Sequence, residues 1–117
     1  MKGPAQLELV IRALTCGVSG CVEWQPKEAE RVRSDSTLKG LTPESILEDL
    51  IEFTATGGGK VRQMVEQRPQ WSHRDYYYRA IVPYPLLFRK GLFVEMELYD
   101  DDSELPVVLL VNAHEQK

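Results

Sequence analysis

The chain has 117 residues, of which 43% are hydrophobic and 27% are charged, and these proportions are ordinary for one soluble domain with its own core. It has no apolar run near the ~20 residues of a membrane span, and its first residues lack a secretory pattern, so we expect a cytoplasmic protein that does not bind membranes. A net charge of -4 argues against indiscriminate binding to nucleic acid, but it leaves a local basic site open.

The first part of the chain predicts two helices and a short extended piece. An apolar stripe at helical spacing indicates the first helix and consists of Leu7, Val10, Ile11 and Leu14. Residues 17–20, Gly-Val-Ser-Gly, predict a flexible turn that ends this helix. Cys21 to Trp24 predicts the extended piece, and Pro26 opens a second helix from Lys27 to about Arg33.

The third predicted helix has the strongest local signals. Thr42 suits the N-cap and Pro43 suits the first helical position, while Glu44 complements the positive end of the helix dipole. Its broad apolar face consists of Ile46, Leu47, Leu50, Ile51 and Phe53. Gly57–Gly59 ends the helix and is only a connector, because the Lys-Ser/Thr of a phosphate-binding loop does not follow it.

The second half of the chain predicts strands. Extended segments run from Lys60 to Arg68 and from Arg74 to Val82, and Pro83 then interrupts the ladder because proline has no amide donor. The strand after Gly91 alternates cleanly, with Leu92, Val94, Met96 and Leu98 on one face and Phe93, Glu95, Glu97 and Tyr99 on the other. Leu105 to Ala113 is almost continuously apolar, which predicts a strand in mid-sheet with both faces covered.

This order of elements indicates an α+β fold. We expect the N-terminal helices to pack on one face of a four-stranded antiparallel meander. Residues 1–117 contain no internal repeat and no low-complexity tract, so the prediction is one domain.

The cysteines and histidines are too few for a convincing metal site. Cys16 and Cys21 are the cysteines of the chain and His73 and His114 its histidines, whereas a zinc site needs four ligands brought together. A disulfide is not expected in a reducing compartment. We therefore predict two ordinary thiols, no metal and no cofactor.

Charge is strongly partitioned along the second half of the chain. Residues 60–90 hold seven cations against two anions, whereas residues 95–104 hold six anions and no cation. Within the basic part, residues 74–79 read Arg-Asp-Tyr-Tyr-Tyr-Arg and combine stacking surface with guanidinium donors. Such aromatic interleaving suits a phosphate-bearing ligand, RNA above all. The alternative is a tyrosine-rich strand whose arginines are simply solvated.

Strand alternation predicts which of these side chains can cooperate. Arg74, Tyr76 and Tyr78 are expected on one face of their strand, and Asp75 and Arg79 on the other. Arg79 is therefore not expected to join Arg74.

The same rule applies to the last strand. It groups Val108, Leu110, Asn112 and His114 on one face, so Asn112 and His114 are expected to open onto the same groove.

The chain resembles the RelE-like superfamily of toxin–antitoxin ribonucleases, and most closely the MqsR-type branch. The likeness covers roughly residues 41–115, from Leu41 to Glu115. It rests on Leu-Thr-Pro-Glu-Ser-Ile-Leu-Glu-Asp-Leu-Ile, Val-Arg-Gln-Met, Arg-Asp-Tyr-Tyr-Tyr-Arg, Gly-Leu-Phe-Val-Glu-Met-Glu-Leu and Val-Asn-Ala-His-Glu. The resemblance implies a toxin-like endoribonuclease that cleaves RNA without metal and is restrained by an antitoxin protein.

The resemblance also assigns roles to residues. Arg62 takes the place of the basic residue on the first meander strand, Arg74 opens the second strand, and His114 stands where the family has a proton-handling residue. The tyrosine that is common on the third strand is replaced by Phe93 or Val94, so a tyrosine of the neighbouring strand would have to substitute. The predicted catalytic residues are Arg62, Arg74, Tyr76 and His114. The predicted RNA-binding residues are Tyr78, Arg79, Trp71 and Arg68.

Each assignment has an alternative. Arg62 and Arg74 could be solvated strand residues or cross-strand partners of Glu95 and Glu97, and His114 could be an ordinary exposed side chain. For the whole chain, the alternative to a ribonuclease is a non-catalytic RelE-like module that binds a ligand or docks a protein. The replaced tyrosine and the acidic composition favour that alternative.

Overall fold

The computed structural model describes residues 3–16, 20–56 and 60–117. Within them the α-helices are α1 (Gly3–Thr15), α2 (Pro26–Arg33) and α3 (Pro43–Ala55), and single 3-10 turns lie at Ser36–Leu38 and Pro69–Trp71. The predicted turn after α1 falls largely on residues 17–19, and the predicted end of α3 falls on residues 57–59. Both lie outside the described residues.

The strands of the described residues form one mixed sheet of five members. They are β1 (Val22–Trp24), β2 (Arg62–Val65), β3 (Tyr76–Tyr84), β4 (Phe88–Asp100) and β5 (Val107–Glu115), and their spatial order is β1-β5-β4-β3-β2. The α+β class is therefore confirmed, and β2 to β5 form an antiparallel meander. The sheet has one strand more than predicted, because β1 adds to β5 in parallel.

Local capping explains where α3 begins. The Thr42 side chain accepts a hydrogen bond from the backbone N–H of Ser45, and the Ser45 hydroxyl oxygen accepts one from the Thr42 N–H. Pro43 occupies the first turn, as predicted. The indole Nε1–H of Trp24 donates to the Pro43 carbonyl oxygen at 2.7 Å, so β1 is tied to the start of α3.

One face of the sheet, the inner face, packs against α1 and α3. Its core contains Val10 and Leu14 of α1, Ile46 and Leu50 of α3, and Tyr78, Ala80, Leu92, Val94, Met96, Val108 and Leu110 of the sheet. The predicted alternation of β4 is confirmed, because Leu92, Val94 and Met96 are buried on this face. The opposite side of the sheet is called the outer face below. No helix among the described residues is long and apolar enough to cross a membrane.

A bulge in β5 changes the faces predicted for its last residues. Glu95 lies opposite Asn112 and Met96 lies opposite Leu110, which leaves Val111 as an extra residue in β5. Leu110 therefore points to the inner face, whereas Asn112 and the residues aligned with it point to the outer face. The prediction that Val108 and Leu110 share a face with Asn112 and His114 was wrong, because strict alternation fails at a bulge.

A second irregularity lies in β3. The register between β3 and β4 shifts between Val82 and Tyr84. Pro83, which has no amide donor, sits at that shift, so the strand continues past the proline with a disturbed ladder.

Candidate functional site

The loop between β2 and β3, residues 66–75, folds over the outer face. Its base is closed by a hydrogen bond from the Glu66 N–H to the Asp75 carbonyl oxygen at 2.9 Å, and its middle forms the 3-10 turn Pro69–Trp71. From this loop, Arg68 and Arg74 both reach Glu95 in the centre of the sheet. The loop therefore fills the middle of the outer face.

The side chains under this loop form an ion cluster, which consists of Glu66, Arg68, Arg74, Glu95 and Glu97. Arg74 Nη2 lies 2.7 Å from Glu66 Oε1 and 2.8 Å from Glu95 Oε2, and Arg74 Nη1 lies 3.3 Å from Glu97 Oε1. Arg68 Nε lies 2.8 Å from Glu66 Oε2, and its Nη2 lies 2.8 Å from Glu95 Oε2. The side chains of Glu66, Glu95 and Arg74 are only 1%, 4% and 7% exposed.

Aromatic rings cover the two arginines, and a histidine contacts one of the carboxylates. The Arg74 guanidinium carbon lies 4.2 Å from the centre of the Trp71 ring, and that of Arg68 lies 4.6 Å from the Tyr77 ring, both within the range of cation–π attraction. His73 Nε2 lies 2.8 Å from Glu97 Oε1. Trp71, which was predicted to bind RNA, thus packs within the protein against Arg74.

The electrostatics of the cluster favour the ionised states of Glu66 and Arg68. The hydrogen bonds from Arg68, with those from Arg74, lower the pKa of Glu66 to about 2 even though burial opposes this. The pKa of Arg68 is raised by its hydrogen bonds to Glu66 and then to Glu95. A phosphate group would have to displace carboxylates from Arg68 and Arg74, and each displaced carboxylate would stay buried without a partner. The two arginines are therefore poorly placed to bind RNA.

The tyrosines predicted to act with Arg74 lie on the other side of the sheet. Tyr78 is 1% exposed in the core, where burial raises its pKa to about 12, and Tyr76 packs partly buried against the same core. Arg74 contacts Glu95 and Glu97 on the outer face instead. The prediction that Arg74 shares a face with Tyr76 and Tyr78 was wrong, because β3 begins at Tyr76 and alternation does not extend back into the loop. Arg74 nevertheless lines a pocket of about 280 Å³ together with both tyrosines at the start of β3.

Two other arginines lie side by side on the outer face, and we call them the arginine pair. Arg62 of β2 lies directly opposite Arg79 of β3, so the two side chains project to the same side. The next residue across the sheet from Arg79 is Glu95, which is already held by Arg68 and Arg74. Neither member of the pair forms an ion pair with a described residue, and the buried Nε of Arg79 has no hydrogen-bond partner among them.

His114 and Phe93 lie one row further along the same face. The two residues are opposite each other in β4 and β5, and their rings stack with centres 4.6 Å apart and planes inclined by 18°. Phe93 is two residues from Glu95, or about 7 Å along β4 at ~3.4 Å per residue, so the stack borders the row that holds Arg79. The structure thus brings three predicted residues, Arg62, Arg79 and His114, onto one end of one face.

A groove beside the ion cluster was not predicted. It has a volume of about 780 Å³, and its floor consists of Val107, Leu109 and Val111 on the outer side of β5. The apolar sequence of β5 suggested a strand covered on both faces. The inner side is covered, but the outer side forms this floor, which sequence alternation could not reveal because both sides are apolar.

The cysteines lie together at the start of β1. A hydrogen bond with Cys16, together with burial, raises the pKa of the Cys21 thiol to about 11. Neither cysteine forms a disulfide. In the parts of the chain that the structure describes, no three His, Cys, Asp or Glu side chains are grouped so that they could hold a metal ion.

Comparisons with known proteins leave the site to be interpreted from its own geometry. The chain matches no protein-family model, no curated protein and no solved structure. The resemblance to RelE-like toxins therefore stays a prediction based on short sequence segments.

Proposed function

We propose that this chain is a non-catalytic module that binds single-stranded RNA on the outer face, at the end formed by the arginine pair and the Phe93–His114 stack. The observation that carries the proposal is the arginine pair itself. Two guanidinium groups directly opposite each other on neighbouring strands repel, and like-charged cross-strand pairs are destabilising. A bound phosphate would offset that repulsion and would accept hydrogen bonds from the exposed ends of the two guanidinium groups.

The neighbouring rings favour RNA over other polyanions. Single-stranded RNA is recognised by proteins that stack its unpaired bases on aromatic or histidine rings while cations hold its phosphates. Here Phe93 and His114 already stack on each other, and Phe93 is half-buried whereas His114 is exposed. A base could therefore extend the stack from the exposed side of His114.

The placement of the other candidate residues favours binding without cleavage. Metal-independent cleavage needs a base, an acid and cations that converge on one phosphate. Arg74 is occupied in the ion cluster, and Tyr76 lies on the inner face. The predicted catalytic set of Arg62, Arg74, Tyr76 and His114 is thus divided between two faces.

A RelE-like endoribonuclease restrained by an antitoxin is the second candidate function. One observation favours it: His114, a residue type that serves as a general acid or base in catalysis, lies on the same end of the outer face as the arginine pair. In that case the chemistry would depend on His114 and the pair, without Arg74 or Tyr76.

Titration of a labelled single-stranded RNA, followed by fluorescence anisotropy at several salt concentrations, tests the binding. We expect saturable binding, a loss of at least ~10-fold in Arg62→Gln/Arg79→Gln, and a salt slope smaller by about 1.4, which is the value for two lost phosphate contacts. Arg33→Gln is the matched control, because Arg33 is exposed and ion-paired with Glu44 away from the outer face. An equal loss in the control, or no saturable binding by the wild type, would overturn the proposal.

The same samples separate binding from cleavage. After incubation without added metal, the length of the RNA is measured on a denaturing gel for the wild type and for His114→Gln. Intact RNA in both samples supports the non-catalytic module. Shortened RNA with the wild type and intact RNA with His114→Gln, at equal binding, would replace it with the ribonuclease.

A further inference from the structure

The groove on β5 has the form of a binding site for a small organic molecule. Its volume of about 780 Å³ lies within the range of ~300–1,000 Å³ that is usual for such sites. The floor is aliphatic, and the rings of Trp71 and Tyr99 line it. Trp71 is held in place on Arg74, 4.2 Å from the guanidinium carbon, so this wall is preformed.

Two carboxylates beside the floor indicate the charge of the ligand. Leu109 lies directly opposite Glu23 of β1 and directly opposite Glu97 of β4, so a carboxylate stands on each side of the leucine. Glu97 is held by Arg74 and His73. Glu23 forms no ion pair with any residue that the structure describes, and it is exposed.

None of the remaining charged residues of the described lining is paired with Glu23. Glu28 is paired with Arg31, at 3.3 Å between Glu28 Oε1 and Arg31 Nε. Lys27 is the one cation of the described lining and lies on the exposed first turn of α2. Beyond Tyr99, the turn at residues 100–104 adds four carboxylates and no cation. The groove is therefore apolar with an anionic rim.

We propose that the groove binds a small organic amine with an apolar body. The body lies on Leu109 and the neighbouring valines against Trp71, and the ammonium group lies beside Glu23. Carboxylate and aromatic groups together are the usual recognition elements for such cations. An organic anion is disfavoured by Glu23 and by the acidic turn.

This site is separate from the proposed RNA site. The ion cluster lies between the groove and the arginine pair, since Glu97 borders Leu109 while Glu95 borders Arg79. Binding of an amine therefore does not depend on the RNA-binding proposal, and either can fail without the other.

The test uses a matched pair of probes, 4-phenylbutylamine and 4-phenylbutyrate, titrated into the whole chain by isothermal calorimetry. We expect the amine to bind saturably and the carboxylate to bind at least ~10-fold more weakly, because one charge is attracted and the other repelled. Glu23→Gln should weaken binding of the amine by ~3- to 10-fold and leave the carboxylate unchanged or slightly tighter. Glu8→Gln, at an exposed position of α1, is the matched control.

Two further variants locate the ligand. Leu109→Asn places an amide on the half-exposed floor and should abolish binding of the amine, while Arg62→Gln/Arg79→Gln should leave it unchanged. Equal affinity for the two probes, no saturable binding of the amine, or an unchanged affinity in Glu23→Gln or Leu109→Asn would each overturn the proposal.

Discussion

Replacing Glu66 by glutamine should destabilise the fold through the ion cluster. The Glu66 carboxylate accepts hydrogen bonds from Arg68 Nε at 2.8 Å and from Arg74 Nε at 2.8 Å, and its side chain is 1% exposed. Glutamine keeps the size of the side chain and resembles the protonated acid. The variant therefore removes the charge, and little else, from the loop that covers the outer face.

The magnitude follows from the pKa of Glu66. A fall from 4.5 to about 2 corresponds to at most ~3.4 kcal/mol in favour of the ionised form. Arg68, the main cause of the shift, has a side chain that is 38% exposed, so solvent screens part of this interaction. After that discount we expect Glu66→Gln to lower the free energy of unfolding by about 1–2 kcal/mol at neutral pH.

The pH dependence has a defined sign. The pKa of Glu66 is lower in the folded state than in the unfolded state, so its stabilising effect is complete above about pH 4.5 and is lost as the pH falls towards about 2. The difference between wild type and Glu66→Gln should therefore be largest near neutral pH and should shrink through this range.

Urea unfolding followed by tryptophan fluorescence, at a series of pH values from about 7 to 2, measures both effects. The control is Glu44→Gln, which removes another carboxylate that pairs with an arginine but whose side chain is 66% exposed. We expect Glu44→Gln to lower the stability much less than Glu66→Gln does, because solvent screens both its ion pair and its interaction with the helix dipole. The reasoning would be refuted if Glu66→Gln and the wild type had the same free energy of unfolding at neutral pH. It would also be refuted if the two free energies fell equally steeply as the pH was lowered.

Three further predictions concern the fold. Gly91→Ala should lower the free energy of unfolding by about 2–4 kcal/mol, because Gly91 has φ +86° and an added Cβ would lie 2.8 Å from the Val82 carbonyl oxygen. An unchanged midpoint of urea unfolding would contradict this. Burial raises the pKa of Tyr78 and favours its neutral form, so the wild type should lose stability as the pH rises from about 10 to 12. Tyr78→Phe should lose less stability over this range. A variant that loses as much as the wild type would exclude this cause. Trp24→Phe should cost about 1 kcal/mol in thermal unfolding, because it removes the 2.7 Å hydrogen bond to Pro43; a cost near zero would show that the bond contributes little.

The elements that could be predicted from the sequence are those with local signals. Thr42 and Pro43 mark the start of α3 by the chemistry of capping, which needs no knowledge of the rest of the fold. The two faces of β4 could be predicted for the same reason, since the polarity of each residue indicates whether its side chain is buried. The extended piece predicted from Cys21 to Trp24 does form β1, but its parallel pairing with β5 joins residues far apart in the chain and has no local signal.

The site shows where local rules fail. Alternation placed Arg74 with Tyr76, but Arg74 lies in a loop that crosses to the outer face, where distant carboxylates hold it. A single extra residue, Val111, moves Asn112 and His114 to the face opposite that of Val108 and Leu110, with which they were grouped. Both errors come from strand register and strand ends, which are decided by non-local pairing.

The ion cluster also reduces the number of arginines in residues 60–90 that are available to bind phosphates. Residues 60–90 contain five arginines, but Arg68 and Arg74 have their charge balanced by buried carboxylates. A cation in this state releases no counterions from RNA, so it contributes nothing to the dependence of binding on salt. If all five arginines contacted phosphates, the slope of log K against log salt would be about -3.5, whereas the arginine pair alone gives about -1.4. The measured slope therefore reports how many of these arginines face the RNA, independently of how tightly the RNA is bound.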